Sequence, residues 1–202
     1  MKLIGLTGGI AMGKSTAAAL LRRIGAPVHD ADAAVHRLYA PGGAAVPVLA
    51  EYFPEAVVGG AIARDRLGEI IFGQPQAFKT LESLIHPLVR HETQIWLKWH
   101  QRRHTPVVIL DIPLLFETGQ DREVDQIWVV NCPPFLQAQR ALRRPGMDRN
   151  KLQHILARQT PQHLRIRRAD QVFQTGRGKA SLFREMKATW MDLRLADSSF
   201  AN

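Results

Sequence analysis

The stretch Gly8 to Ser15, GGIAMGKS, combines residue types and spacing that suit the binding of a polyphosphate. It matches G-x-x-x-x-G-K-[ST], and Thr16 completes a K-S-T ending. Gly8, Gly9 and Gly13 remove Cβ atoms where the chain must curl around an anion, so that successive N–H groups of the loop, including those of Ala11 and Met12, can point inward. Lys14 adds a mobile charge for the β- and γ-phosphates, and the Ser15 hydroxyl is placed to ligate Mg²⁺. Such a loop needs a strand before it and a helix after it. Lys2 to Leu6 reads as a short buried strand, and Ala17, Leu20, Leu21 and Ile24 recur at helical spacing before Gly25.

A second strand is predicted at Ala26 to Asp30, leading into D-A-D-A-A-V-H. In an open parallel sheet, ligands collect beyond the carboxyl ends of the strands, so Asp30 and Asp32 are expected on the crevice that the phosphate loop faces. A carboxylate there can orient a substrate hydroxyl and take its proton during in-line attack. The alternative is that these aspartates cap the next helix, Ala33 to Tyr39. Val107 to Leu110 is a further apolar run and ends at Asp111, the usual place for a magnesium-positioning carboxylate. Ile127 to Val130 and Gln171 to Phe173 complete about five parallel strands with crossover helices, an α/β arrangement.

Pro41 to Arg103 reads as helical pieces at about Ala44 to Tyr52, Asp65 to Phe72, Pro75 to Ile85 and Pro87 to Arg103, with His86 at a helix start. Its aromatics, including Phe53, Phe72, Trp96 and Trp99, are expected in the core.

Charge is unevenly distributed along the 202 residues. The net value is +9, yet the segment Gln139 to Lys187 alone carries thirteen Lys and Arg against three acidic residues. With only Phe173 and Phe183 as aromatics, this segment suits a lid over polyphosphate better than a single-strand nucleic-acid surface. A single cysteine, Cys132, excludes an intramolecular disulfide and fits a reducing compartment, with the thiol expected as a buried filler. No run of 18 apolar residues occurs, so a cytoplasmic protein acting on small molecules, with no membrane or nucleic-acid partner, is expected.

The order of several motifs resembles the dephospho-CoA kinase family along nearly the whole chain. They are I-G-L-T-G-G-I-x-x-G-K-S-T, D-A-D-x-x-x-H, R-x-x-L-x-x-x-x-F from Arg64, L-E-x-x-x-H-P from Leu81 and D-I-P-L-L-F-E from Asp111. Gln137, Arg140 and Arg144 in Q-x-x-R-x-x-x-R, then Gln159 and Ala169-Asp170, extend the match.

The resemblance implies a P-loop NTPase-type core of about five parallel strands flanked by helices, with a helical acceptor-binding insertion and a small lid. Within one domain, residues 1–32, 104–139 and 166–202 would form the nucleotide-binding core, 33–103 the insertion and 140–165 the lid. It implies transfer of the γ-phosphoryl group of ATP to the ribose 3′-hydroxyl of dephospho-CoA, the last step of coenzyme A synthesis, with Mg²⁺. Ala11 to Thr16 would form the ATP loop, Asp32 would be the base, and Arg140 and Arg144 would be lid arginines facing the phosphates. Thr7 and Arg64 would line the site, with His86 nearer the acceptor. Two departures stand out. Ala11 and Met12 replace a common Gly and Ser, with altered loop angles expected, and Gln174-Thr175-Gly176 replaces an asparagine-bearing turn.

Other readings remain open at this point. Another small-molecule kinase would share the loop and lid. A GTP-dependent switch would need a guanine motif, which Asn150-Lys151-Leu152-Gln153 does not supply, and a nucleic-acid binder would rest on the basic segment alone.

Overall fold

The apolar run after Met1 forms strand β1, Lys2–Thr7, and the phosphate-loop segment leads from it into helix α1, Lys14–Arg23. Next come β2 (Val28–Asp30), α2 (Ala31–Tyr39), α3 (Ala45–Tyr52), the short strands β3 (Val57–Val58) and β4 (Ala61–Ile62), α4 (Arg64–Ile71) and α5 (Pro75–Arg102). The chain continues through β5 (Val107–Asp111), β6 (Gln126–Asn131), α6 (Pro134–Leu142), α7 (Arg149–Arg158), α8 (Gln162–Arg167), β7 (Gln171–Gln174) and α9 (Lys179–Ser198). This computed structural model describes residues 1–198, so the last four residues of the expected core segment 166–202 lie outside the described residues.

The chain divides into two units, Met1–His29 with His104–Asn202, and Asp30–Arg103. The first is built on a five-stranded sheet of order β2-β5-β1-β6-β7. β1 pairs in parallel with β5, Leu6 lying opposite Asp111, and with β6, Thr7 lying opposite Val129. β6 in turn pairs in parallel with β7, placing Asn131 opposite Gln174. Strands covered on both faces need apolar side chains throughout, and all five residues of β5 are buried. Ile4, Leu6, Ile109, Trp128 and Phe173 pack with Leu21 of α1 and with Leu182, Met186 and Trp190 of α9. Each such side chain, fully buried, contributes about 1.5–3 kcal/mol. Cys132 belongs to the same core as a buried filler, and burial pushes its thiol pKa up.

The second unit is helical around Leu38, Leu49, Phe53, Ile62, Leu67 and Ile85, with the β3–β4 hairpin as its only sheet among the described residues. Three expectations are corrected here. The predicted break at His86-Pro87 is absent, and α5 runs unbroken for 28 residues with Pro87 inside it. Proline removes one helical N–H, but Leu81, Leu84, Ile85, Leu88 and Val89 pack on one core from both sides of it, which outweighs the lost bond. Phe53 is buried as expected, whereas Phe72 is 87% exposed and Trp99 is 52% exposed. Phe72 falls just past the end of α4, beyond the face that buries Leu67. Trp99 leans edge-on against the buried His100 and stacks with the Arg103 guanidinium, 4.5 Å from the ring centre. No helix among the described residues is long and apolar enough to cross a membrane.

Candidate active site

In the sheet-based unit the parallel strands bring their carboxyl ends to one edge, and these ends carry Thr7, Asp111, Asn131 and Gln174. Thr7 is buried, its hydroxyl donating to the Pro113 carbonyl at 3.3 Å. The loop then turns into α1 at Gly13, whose φ of 91° lies in the left-handed region. No side chain caps α1, so the N–H groups of its first turn and its positive dipole end address the loop.

The glycines of this loop are required by packing as well as by any anion. A Cβ on Gly8 would lie 2.3 Å from Val130 Cγ2, and one on Gly9 would lie 2.4 Å from Arg165 Nη1. Ala11, where a change in loop angles was expected, instead has φ of 59° and adopts the conformation that glycine favours. The cost for an L-residue is about 1–2 kcal/mol. Its buried methyl packs with Ala141 and Leu152, which offsets part of that. Met12 is buried and Thr16 half-buried.

Lys14 donates to Asp111 Oδ1, joining the loop to the end of β5. Both groups are largely removed from solvent, with side chains 15% and 7% exposed, so each charge compensates the desolvation of the other. Ser15 is exposed at the first turn of α1. Ser15 and Asp111 offer a hydroxyl and a carboxylate, the hard oxygen donors that Mg²⁺ takes together with phosphate oxygens and water, so these residues fit that ion.

The basic segment is tied to the loop more closely than its charge suggests. Gln137 of α6 is buried and donates to the Ile10 carbonyl at 2.9 Å. Gln159, just after α7, accepts from the Ile10 N–H at 3.1 Å. Arg140 and Arg144, expected to face the phosphates together, have different surroundings. Arg140 lies within α6 and donates from Nη1 to Thr175 Oγ1 and from Nη2 to the Thr175 carbonyl, each at 3.0 Å. The Thr175 hydroxyl passes the link on, donating to the Met12 carbonyl at 2.7 Å. Arg144 is exposed beyond the end of α6.

In the helical unit, Asp30 caps α2, accepting from the Ala33 N–H at 3.0 Å, and Asp32 is exposed in the first turn of the same helix. Arg64, the first residue of α4, lies 2.6 Å from His36 Nε2. A guanidinium only donates, so in this contact the ring nitrogen is the acceptor. The same guanidinium opposes the effect of burial on Tyr39, although burial wins and raises the phenol pKa. His86 is exposed in the middle of α5 rather than at a helix start.

Sequence reasoning missed the parts played by Gln137, Gln159, Arg165 and Thr175. The two glutamines stood in quoted motifs, and Thr175 stood in the turn that departs from the family pattern. Arg165 gave no signal apart from its neighbours in the basic segment.

The sequence model of the dephospho-CoA kinase family matches residues 2–180. The dephospho-CoA kinase of Paramagnetospirillum magneticum is 54% identical over 161 residues, covering 80% of this chain and 76% of that protein. That of Mesorhizobium japonicum is 45% identical over 194 residues, covering 96% and 98%. A solved Thermus thermophilus structure superposes with a TM-score of 0.76 at 35% identity, covering 95% of this chain and 97% of that one. Dephospho-CoA kinase from Campylobacter jejuni, at 21% identity, shares the fold with a TM-score of 0.71 and the same coverage. With the parallel sheet, the loop and the motif order all agreeing, the chain belongs to the dephospho-CoA kinase family.

Proposed function

We propose that this protein transfers the γ-phosphoryl group of ATP to the ribose 3′-hydroxyl of dephospho-CoA, giving coenzyme A and ADP. Family membership supports the reaction, and the observation that carries its donor side is Lys14 held on Asp111 at the mouth of the loop. Residues Gly8 to Thr16 bind the phosphates, the backbone N–H groups of Gly9, Ala11, Met12 and Gly13 among them, with Thr7 at the loop's entry. On nucleotide binding Lys14 exchanges the carboxylate for β- and γ-phosphate oxygens, where the transferring charge is greatest. Ser15 and Asp111 would hold Mg²⁺, which neutralises phosphate charge when bound.

On the acceptor side, Arg64, oriented by His36, binds an anionic part of dephospho-CoA, with His86 as a further contact. Asp32 accepts a hydrogen bond from the 3′-hydroxyl and takes its proton as the new O–P bond forms and the bond to the ADP oxygen breaks. Arg144 and Arg140 stabilise the phosphoryl group in transit, Arg140 from its seat on Thr175. Both substrates are small molecules, and the reading has the protein act as a cytoplasmic monomer. Incubation with Mg·ATP and dephospho-CoA should give coenzyme A by mass, with the added phosphate on the 3′ position. Folded protein that makes no such product overturns the proposal.

A further inference from the structure

Arg165 is only 5% exposed, yet it sits in the most basic part of the chain. A buried guanidinium is costly unless its donors are used. Two of them are: Nε donates to the Thr160 carbonyl at 2.7 Å and Nη2 donates to Gln159 Oε1 at 3.4 Å. Thr160 is fixed from its other side, its N–H donating to Glu117 Oε1 at 2.6 Å. Burial pulls the guanidinium pKa down while the Glu117 carboxylate holds it up, so the group remains a cation at neutral pH. Nη1 lies against Gly9, in the space a side chain there would fill.

The same Gln159 oxygen that meets Arg165 also accepts from Ile10 N–H, while Gln137 Nε2 holds the Ile10 carbonyl. The two peptide groups that flank Ile10 are therefore each held, Gly9–Ile10 through its N–H and Ile10–Ala11 through its carbonyl. Two successive peptides so restrained resist rotation, and they bias the neighbouring N–H groups of the loop toward one orientation. Preorganised donors bind an anion without spending energy to arrange themselves when it arrives.

We infer that Arg165 and Gln159 are positioning residues for the phosphate loop, a clamp that sets its affinity for nucleotide without touching the acceptor. The inference rests on the reading of Gly8 to Thr16 as the ATP site.

The test uses the full-length protein with Mg·ADP in titration calorimetry, beside the KM for dephospho-CoA and the thermal midpoint. Gln159→Met keeps length and removes the acceptor, and Arg165→Lys keeps charge but cannot reach Thr160 and Gln159 together. Each should weaken Mg·ADP binding roughly tenfold, the size of one lost charge-assisted hydrogen bond, and leave the KM for dephospho-CoA within twofold. Gln159→Glu, which retains the acceptor oxygen, should keep the Ile10 contact and bind ADP better than Gln159→Met. Gln159 is only half-buried, so Gln159→Met stays informative if Arg165→Lys fails to fold. A fall in midpoint with ADP affinity unchanged would mean a purely structural role and overturn the inference. Lys14→Ala separates the two levels. If it loses ADP while the clamp variants bind like the parent, the clamp alone is wrong; if it too binds like the parent, the loop assignment falls and takes the clamp with it.

Discussion

In the sheet-based unit, Lys14 sits on Asp111, Arg140 on Thr175 and Gln159 on Ile10, each through a bond between elements distant in sequence. In the helical unit, Asp32, Arg64 and His86 are all exposed, and the bond from Arg64 runs to another exposed side chain, His36. The contrast follows from architecture. Parallel strands converge residues from many parts of the chain onto one edge, where they brace each other, whereas helices around a small core leave their polar residues at the surface, paired at most with one another there. Residues of the first kind should matter for both stability and rate, and those of the second for rate alone.

Lys14→Ala is the largest test of that contrast. With Lys14 in its proposed role, turnover should fall by roughly 10⁴-fold or more, since the transferring phosphoryl group would lose its fixed cation. The midpoint should fall too, because Asp111 loses its counter-charge while buried, at a cost of about 3 kcal/mol. Turnover and thermal melts on one preparation check both. A mutant that is inactive but fully stable would break the link between bracing and catalysis.

Asp32→Asn should reduce turnover by roughly 10² to 10⁴ with the midpoint unmoved, as fits an exposed residue. Asp30→Asn is its control. Asparagine caps a helix about as well as aspartate, so rate and midpoint should both stay near the parent's. A large loss of rate confined to Asp30→Asn would overturn Asp32 as the base and assign that role to Asp30.

Arg140 and Arg144 sharpen the comparison within one segment. Arg144→Lys should slow turnover by about tenfold and leave the melt unchanged, because lysine lacks the planar fork. In Arg140→Lys the two-pronged hold on Thr175 is lost, and stability should drop by about 1–2 kcal/mol. If neither changes rate, Arg144 belongs to a solvated face and Arg140 serves stability alone.

The smallest effect concerns the junction between units. His104 follows the end of α5 and has φ of 51°, in the left-handed region, with its side chain exposed. Glycine there should raise stability by about 0.5–1 kcal/mol, the relief of strain exceeding the extra freedom of the unfolded chain, or roughly 1–4 °C in the melt. No change in turnover is expected.

Much of the sheet-based unit was legible in sequence. The apolar runs at Lys2, Val107 and Ile127 became central strands because burial on both faces leaves little choice of residue. The G-K-S motif located the loop for a similar reason, since few residue types tolerate its backbone. The bracing of that loop could not be read, because hydrogen bonds such as Ile10 to Gln159 depend on strand order, which no local pattern encodes. In the helical unit, Pro87 misled because local propensity gave way to packing on both sides of it. Trp99 misled because hydrophobicity does not say which face of a helix is covered, and Phe72 because it falls past the end of its helix.

The order of strands also bears on how the chain is born. β1 is synthesised first, yet its partners lie far downstream, Lys2 opposite Val107 and Ile4 opposite Gln126. At about 5–20 residues per second, the ribosome takes on the order of 5–20 s to supply the first of them. Over that interval both edges of the strand are unsatisfied, while the helical stretch Asp30–Arg103 already has its own local contacts to make. A chain from which Asp30–Arg103 has emerged but Val107 onward has not would thus carry helices able to make their own contacts beside an orphan β-strand, a form exposed to aggregation.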